Sequence, residues 1–235
     1  MTFNQRTNKP KLNIKYGDVA ISESDMTKFL GLHIDSHLTW KHHIDTLSKK
    51  LSQFAYALYK LSITVNRITV QIAYNAYVAS SIRYGIIFWG NSTDREVAFK
   101  AQKKCLRSFT KLQSIDSCKP LFEELNLLTL PSMYIYEMGV FVHSNLYLFE
   151  KLRSRRYQNT IHVTSHKTAF FSKSVLGMAP KIYNSIPAAI RNKECLGSFK
   201  RSLFKFLLDR CYYSITEFTT DKQRYVDSDL LIRHF

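Results

Sequence analysis

Acidic residues are scarce in this 235-residue chain: 18 Asp and Glu stand against 34 Lys and Arg, a formal net charge of +16. Glycine and proline are scarce as well, with 7 and 5, which excludes collagen-like and linker-like sequences. Only four cysteines occur, Cys105, Cys118, Cys195 and Cys211. They form no C-x-x-C pair and have no histidine at finger spacing, so neither a disulfide framework nor a zinc site is expected. Reduced thiols are the expectation, and with them an intracellular location, nuclear or cytoplasmic. No window approaches the ~18 consecutive apolar residues of a membrane span; the richest run is Ile86-Ile87-Phe88-Trp89. The N-terminal segment lacks the apolar stretch of a secretory signal. Aromatic residues, by contrast, are plentiful. Fourteen Tyr and sixteen Phe rule out full disorder and supply a packed core.

The positive charge is unevenly spread. Residues 36–115 hold 12 Lys and Arg against 3 acidic residues, and residues 151–210 hold 13 against 2. Between them, residues 116–150 hold one basic residue and five acidic ones. A solvated surface ordinarily mixes both signs, so two one-sided segments point to an acidic counter-surface, nucleic acid first.

Periodicity divides the chain. Leu12, Ile14 and Tyr16 alternate with polar residues ahead of a Gly17-Asp18 turn, and Val19 and Ile21 follow, which predicts short strands. A further strand is expected over Phe29–Ile34, with Gly31 as a bulge or a point of close backbone approach. From Thr39 the period becomes helical. Trp40, Ile44, Leu47, Leu51, Phe54, Leu58 and Leu61 mark a long amphipathic helix with Thr39 as its N-cap and Lys41, Lys49 and Lys50 off the stripe. A second helix is expected from Asn66 to Tyr84, burying Ile68, Ile72, Tyr74, Tyr77, Val78 and Ile82. A third runs from Thr93 or Asp94 to Phe109, with Val97, Ala101, Leu106 and Phe109 inward and Lys100, Lys103, Lys104 and Arg107 outward. Pro120 opens a short helix, and Pro131 opens a longer one to Leu146 that reads as the centre of the core. Arg153 to Thr168 reads as a basic loop. Helices follow over Ala179–Arg191, interrupted at Pro187, and over Phe199–Cys211. The expected fold is mainly α, a helical bundle with a short N-terminal β hairpin or edge-strand remnant. Its divisions are 1–38 (β remnant), 39–150 (helical domain), 151–218 (basic extension) and 219–235 (frayed tail).

Catalytic motifs are hard to find. In-line phosphoryl transfer with paired metals needs clustered carboxylates, whereas Glu123 and Glu124 are adjacent on a helix and diverge. Tyr225-Val226-Asp227-Ser228-Asp229 separates its aspartates and lies in a polar tail. His42-His43 and His162…His166 lack a metal-site context. No nucleophile elbow, phosphate-binding glycine loop or dinucleotide fingerprint occurs.

One string is distinctive: Lys28-Phe29-Leu30-Gly31-Leu32-His33-Ile34-Asp35-Ser36-His37-Leu38-Thr39-Trp40-Lys41-His42-His43-Ile44. It resembles the junction that follows the polymerase palm in non-LTR retrotransposon reverse transcriptases of the jockey kind, F-x-Y-L-G-V-x-[LI]-D-x-x-L-x-W-x-x-H-I. Three further pieces resemble that family in the same order: Arg83-Tyr84-Gly85-Ile86-Ile87-Phe88-Trp89-Gly90-Asn91-Ser92, Ala101-Gln102-Lys103-Lys104-Cys105-Leu106-Arg107, and Ile182-Tyr183-Asn184-Ser185-Ile186-Pro187 with Phe199-Lys200. The resemblance implies that Phe29, Leu30 and Gly31 lie near a primer grip at the end of the palm, and that the helices after Thr39 form a thumb-like domain and extension. It also implies a template–primer partner: RNA, an RNA–DNA hybrid or duplex DNA. The family's metal-binding aspartates, which hold Mg²⁺, lie upstream and have no counterpart here. The expectation is therefore a fragment of an RNA-directed DNA polymerase, inactive in synthesis on its own and pairing with the missing palm and fingers. Candidate phosphate contacts are Lys49, Lys50, Lys100, Lys103, Lys104, Arg107, Arg153, Arg155 and Arg156. No residue of this chain is expected to be catalytic, and no cofactor is expected within it. The alternative is a helical protein-interaction or structural domain derived from a mobile element, without a nucleic-acid role.

Overall fold

The computed structural model describes Phe3 and residues 14–110, 116–149, 160–163 and 168–221. The protein is mainly α-helical, preceded by two small antiparallel hairpins, β1 (Ile14–Tyr16) with β2 (Val19–Ile21), and β3 (Met26–Phe29) with β4 (Leu32–Asp35). The stretch expected as one bulged strand is thus two strands and a turn. Phe29 pairs with Leu32, and Leu30 and Gly31 between them take φ of 46° and 81°. Positive φ at both central residues is the turn whose twist matches a two-residue hairpin. Gly31 serves as turn residue rather than bulge.

Helix α1 spans Lys41–Thr64. Ile44, Leu47, Leu51 and Leu58 of the expected stripe are buried, while Trp40, Phe54 and Leu61 pack at its edge. The N-cap differs from expectation. Trp40 occupies it in a left-handed conformation, and the capping group is the Asp35 carboxylate, which accepts the N–H groups of His37, Thr39 and Trp40, each at 3.0 Å, and the Thr39 hydroxyl at 3.1 Å. An aspartate closing β4 thereby holds the start of α1.

The second expected helix is three pieces: α2 (Arg67–Ala73), a π-helical turn (Tyr74–Ala79) and α3 (Ser80–Arg83). Asn66 caps it by accepting from the Thr69 N–H. Val70, Tyr74, Val78 and Ile82 are buried, whereas Ile68, Ile72 and Tyr77, expected inside, are 69%, 63% and 58% exposed. The widened i→i+5 turn keeps residues four apart on one line, and so selects a different face from the one a uniform α-helix would bury. Next come α4 (Ile86–Trp89), α5 (Arg95–Ser108), α6 (Lys119–Glu124) and α7 (Leu130–Ser144). On α5 the buried set is Ala98, Phe99, Ala101, Gln102, Cys105 and Leu106, while Val97 is exposed. α5 lies against α1, and the Cys105 thiol reaches the Leu51 carbonyl at 3.1 Å. Small side chains at 98, 101 and 105 allow that approach, which outweighs the apolar character of Val97.

The later helices are α8 (Ala169–Lys173), α9 (Val175–Ser185), α10 (Ala188–Arg191), α11 (Leu196–Arg210) and α12 (Ile215–Thr220). α7 packs against α3, α4 and α5 and against α9, α11 and α12. Gln102 ties α5 to the entry of α7: its amide donates to Tyr74 Oη and the Leu128 carbonyl, and its carbonyl accepts the Leu130 N–H. Fully buried, this glutamine is satisfied on both ends. Part of the expected basic loop is anchored instead, since buried Ile161 exchanges two backbone bonds with the Asn184 side chain. The buried side chains form one cluster from Leu32 to Phe218.

Candidate nucleic-acid interface

Lys49 and Lys50 lie exposed on α1, and Lys100 and Lys104 lie exposed, one turn apart, on α5. The Cys105 thiol meets the Leu51 carbonyl where α1 and α5 pack together. Among the described residues, no carboxylate lies within ion-pairing distance of these four lysines.

The other two basic residues expected on this face turn toward the protein. Lys103 places its ammonium 4.5 Å from the Phe99 ring centre and 5.5 Å from that of Tyr213, a cation–π arrangement that binds α5 to the segment before α12. Arg107 donates to the Asp116 carbonyl at 2.7 Å. Arg153, Arg155 and Arg156 lie outside the described residues. Sequence spacing alone could not separate Lys103 and Arg107 from Lys100 and Lys104, because the separation depends on which ring and carbonyl of distant segments come alongside.

The first two segments that carry the family-like strings meet in space. The Tyr84 hydroxyl donates to the Leu30 carbonyl at 2.5 Å. Gly85, at φ 62°, lies so close to Leu32 that a Cβ there would come within 2.9 Å of its Cδ2. The Trp40 and Phe88 rings lie 6.4 Å apart, and His43 packs 5.8 Å from Trp89. In the last of the strings, Tyr183 packs 6.3 Å from Phe199. Phe29 and Leu30, the primer-grip-like pair, are 61% and 72% exposed, with Gly31 between Leu30 and the Tyr84 ring.

His33, His42 and His43 are mutual neighbours, with ring centres 4.8 and 6.4 Å from His33. Burial, with the nearby imidazoles of His33 and His42 adding like charge, holds His43 at about 4. Among the described residues, no group of three or more His, Cys, Asp or Glu is placed to hold a metal ion. Burial pushes the thiols of Cys105 and Cys211 up to about 12, so neither is a nucleophile at neutral pH. The Tyr225–Asp229 segment and His166 lie outside the described residues.

Among the described residues, no helix is long and apolar enough to cross a membrane. No family model matches the chain, and neither a curated protein nor a solved structure is significantly similar to it.

Proposed function

We propose that this chain is a thumb-like, C-terminal fragment of a non-LTR retrotransposon reverse transcriptase, binding template–primer nucleic acid through its phosphates without synthesising DNA itself. The observation that carries this reading is the set of exposed lysines on two packed helices, Lys49 and Lys50 on α1 and Lys100 and Lys104 on α5, with Lys50 also 5.4 Å from the Phe54 ring centre and no ion-pairing carboxylate among the described residues. Ammonium groups on a rigid helix pair neutralise phosphates and displace counterions without reading base sequence. The family resemblance supplies the kind of nucleic acid, an RNA–DNA hybrid or duplex. The exposed apolar side chains of β1 and β2 (Ile14, Tyr16, Val19 and Ile21) fit contact with a palm-and-fingers region elsewhere.

The test is binding of a short RNA–DNA hybrid at several salt concentrations. Replacing Lys100 and Lys104 by Ala should flatten the slope of log affinity against log salt by up to ~2, and replacing Lys49 and Lys50 should do the same. Lys103→Ala should leave the slope unchanged. An unaltered slope when all four exposed lysines are replaced would refute the proposal.

A second reading, a protein-interaction domain, draws on Tyr56, Tyr59, Ile63, Ile68 and Ile72, all at least half exposed on α1 and α2. It predicts nucleic-acid binding no tighter than that of an unrelated basic protein.

A further inference from the structure

Three helix starts converge on one cavity. Residues 37–40 lead into α1, residues 91–93 lead toward α5, and residues 173–176 open α9; with Phe88, Phe170 and Phe171 they enclose about 500 Å³. That volume lies in the range of small-molecule sites.

Its walls favour a flat ring. Trp40 and Phe88 lie with their planes 27° apart, and Phe88 and Phe170 leave 49% and 38% of their surface open. Polar groups punctuate the apolar lining. Ser92 is more than nine-tenths buried, and its hydroxyl finds no partner among the described residues. A buried hydroxyl left unpaired is costly, and Ser92 lines this cavity.

Charge decides where an anionic group would sit. The start of α1 is already taken by the Asp35 carboxylate, and α5 begins with Asp94 and Glu96. α9 has no acidic residue in its first turn. The N–H groups of Val175 and Leu176 are first-turn donors for which a helix offers no internal acceptor. Lys173 stands exposed beside them, with no carboxylate within ion-pairing distance among the described residues. An aromatic wall thus ends at a cation and a helix N-terminus, which favours phosphate.

We propose that this cavity binds a single nucleotide, its base against Trp40 and Phe88 and its phosphate at Lys173 and the start of α9. An aliphatic ligand would leave the Ser92 hydroxyl and Lys173 unused, whereas a base has apolar faces and polar edges. A free nucleotide and the terminal nucleotide of a single strand share this chemistry. The site is separate from the lysines of α1 and α5 and stands independently of the duplex-binding reading.

Tryptophan fluorescence tests it. The chain has two tryptophans; Trp89 is fully buried, so quenching by a stacked base reports Trp40. The probes are adenosine 5′-monophosphate, adenosine, ribose 5-phosphate and a single-stranded oligoadenylate, at constant ionic strength. The monophosphate should quench saturably and bind about tenfold tighter than adenosine, as expected for one charge-assisted phosphate contact. Lys173→Ala should remove that margin while leaving adenosine unchanged, and Phe88→Ala should weaken both. Lys100→Ala with Lys104→Ala should not alter the quench, which separates this proposal from the duplex surface. Tighter binding of the oligoadenylate identifies a strand end as the source, and tighter binding of the monophosphate identifies a free nucleotide. Absence of saturable quenching, equal affinity for ribose 5-phosphate, or affinities unchanged in both Lys173→Ala and Phe88→Ala would overturn it.

Discussion

His43 makes the stability of this protein depend on pH in a way that can be worked out in advance. Its ring is 7% exposed and lies among Trp40, Trp89 and the imidazole of His33. Neither ring nitrogen has a hydrogen-bond partner among the described residues. The charged form therefore has no acceptor to stabilise it, and the charges bearing on it, His33 and His42, are of like sign. The folded protein keeps His43 neutral down to about 4, against an ordinary 6.5 in the unfolded chain. Between those values the unfolded state binds the extra proton, so stability rises with pH. The contribution of neutral His43 is complete above pH ~7 and is lost as pH falls from 6.5 toward 4. At ~1.4 kcal/mol per pH unit, the loss approaches roughly 3 kcal/mol. Urea denaturation of the wild type and of His43→Phe across this range isolates the effect, because carboxylate protonation is common to both. Phenylalanine keeps an aromatic ring against the tryptophans and carries no titrating nitrogen. The stability of the variant relative to wild type should increase steadily as pH falls below 6.5. A difference that stays constant within ~0.5 kcal/mol from pH 7 to pH 4 would refute the reasoning.

Asp35→Ala should cost about 2 kcal/mol at neutral pH, because it orphans three N–H groups at the entry to α1. Burial tends to raise the Asp35 pKa, but the bonds from Thr39, Trp40 and His37 outweigh it and hold the group below its ordinary value. The difference between wild type and variant should persist at pH 5 and fade only as pH drops through the folded pKa; a difference already gone at pH 5 would contradict this capping role. Leu51→Ala should cost ~2–5 kcal/mol, since Leu51 is fully buried between α1 and α5. Lys49→Ala, on the exposed face of the same helix, should change stability by less than ~0.5 kcal/mol, and equal effects in chemical denaturation would show that the helix faces the other way.

The long stripe of α1, the Pro-initiated starts of α6 and α7, the break at Pro187 and the mainly helical class were all legible from the chain. Each depends on neighbours within a few residues: a 3.6-residue period, a ring that fixes φ, a missing N–H. The exposed lysines of α1 and α5 were legible for the same reason. What failed was phase and partnership. Ile68, Ile72 and Tyr77 face solvent because a π turn shifts the buried line to Val70, Tyr74, Val78 and Ile82. Local propensity does not encode that shift; packing of Tyr74 against Gln102 and Phe109 accompanies it.

The same division holds for the sites. By itself the sequence determined how much net charge there is, its positive sign, and which lysines lie off an apolar stripe. Tertiary structure alone decided that Lys103 stacks on Phe99 and Tyr213, that Asp35 caps α1, and that Trp40, Phe88, Ser92 and Lys173 surround one cavity. Those groups are separated by up to 133 positions in the chain. Helical periodicity is set by backbone geometry within one or two turns, whereas contacts between distant segments depend on the volume and shape of every side chain packed between them.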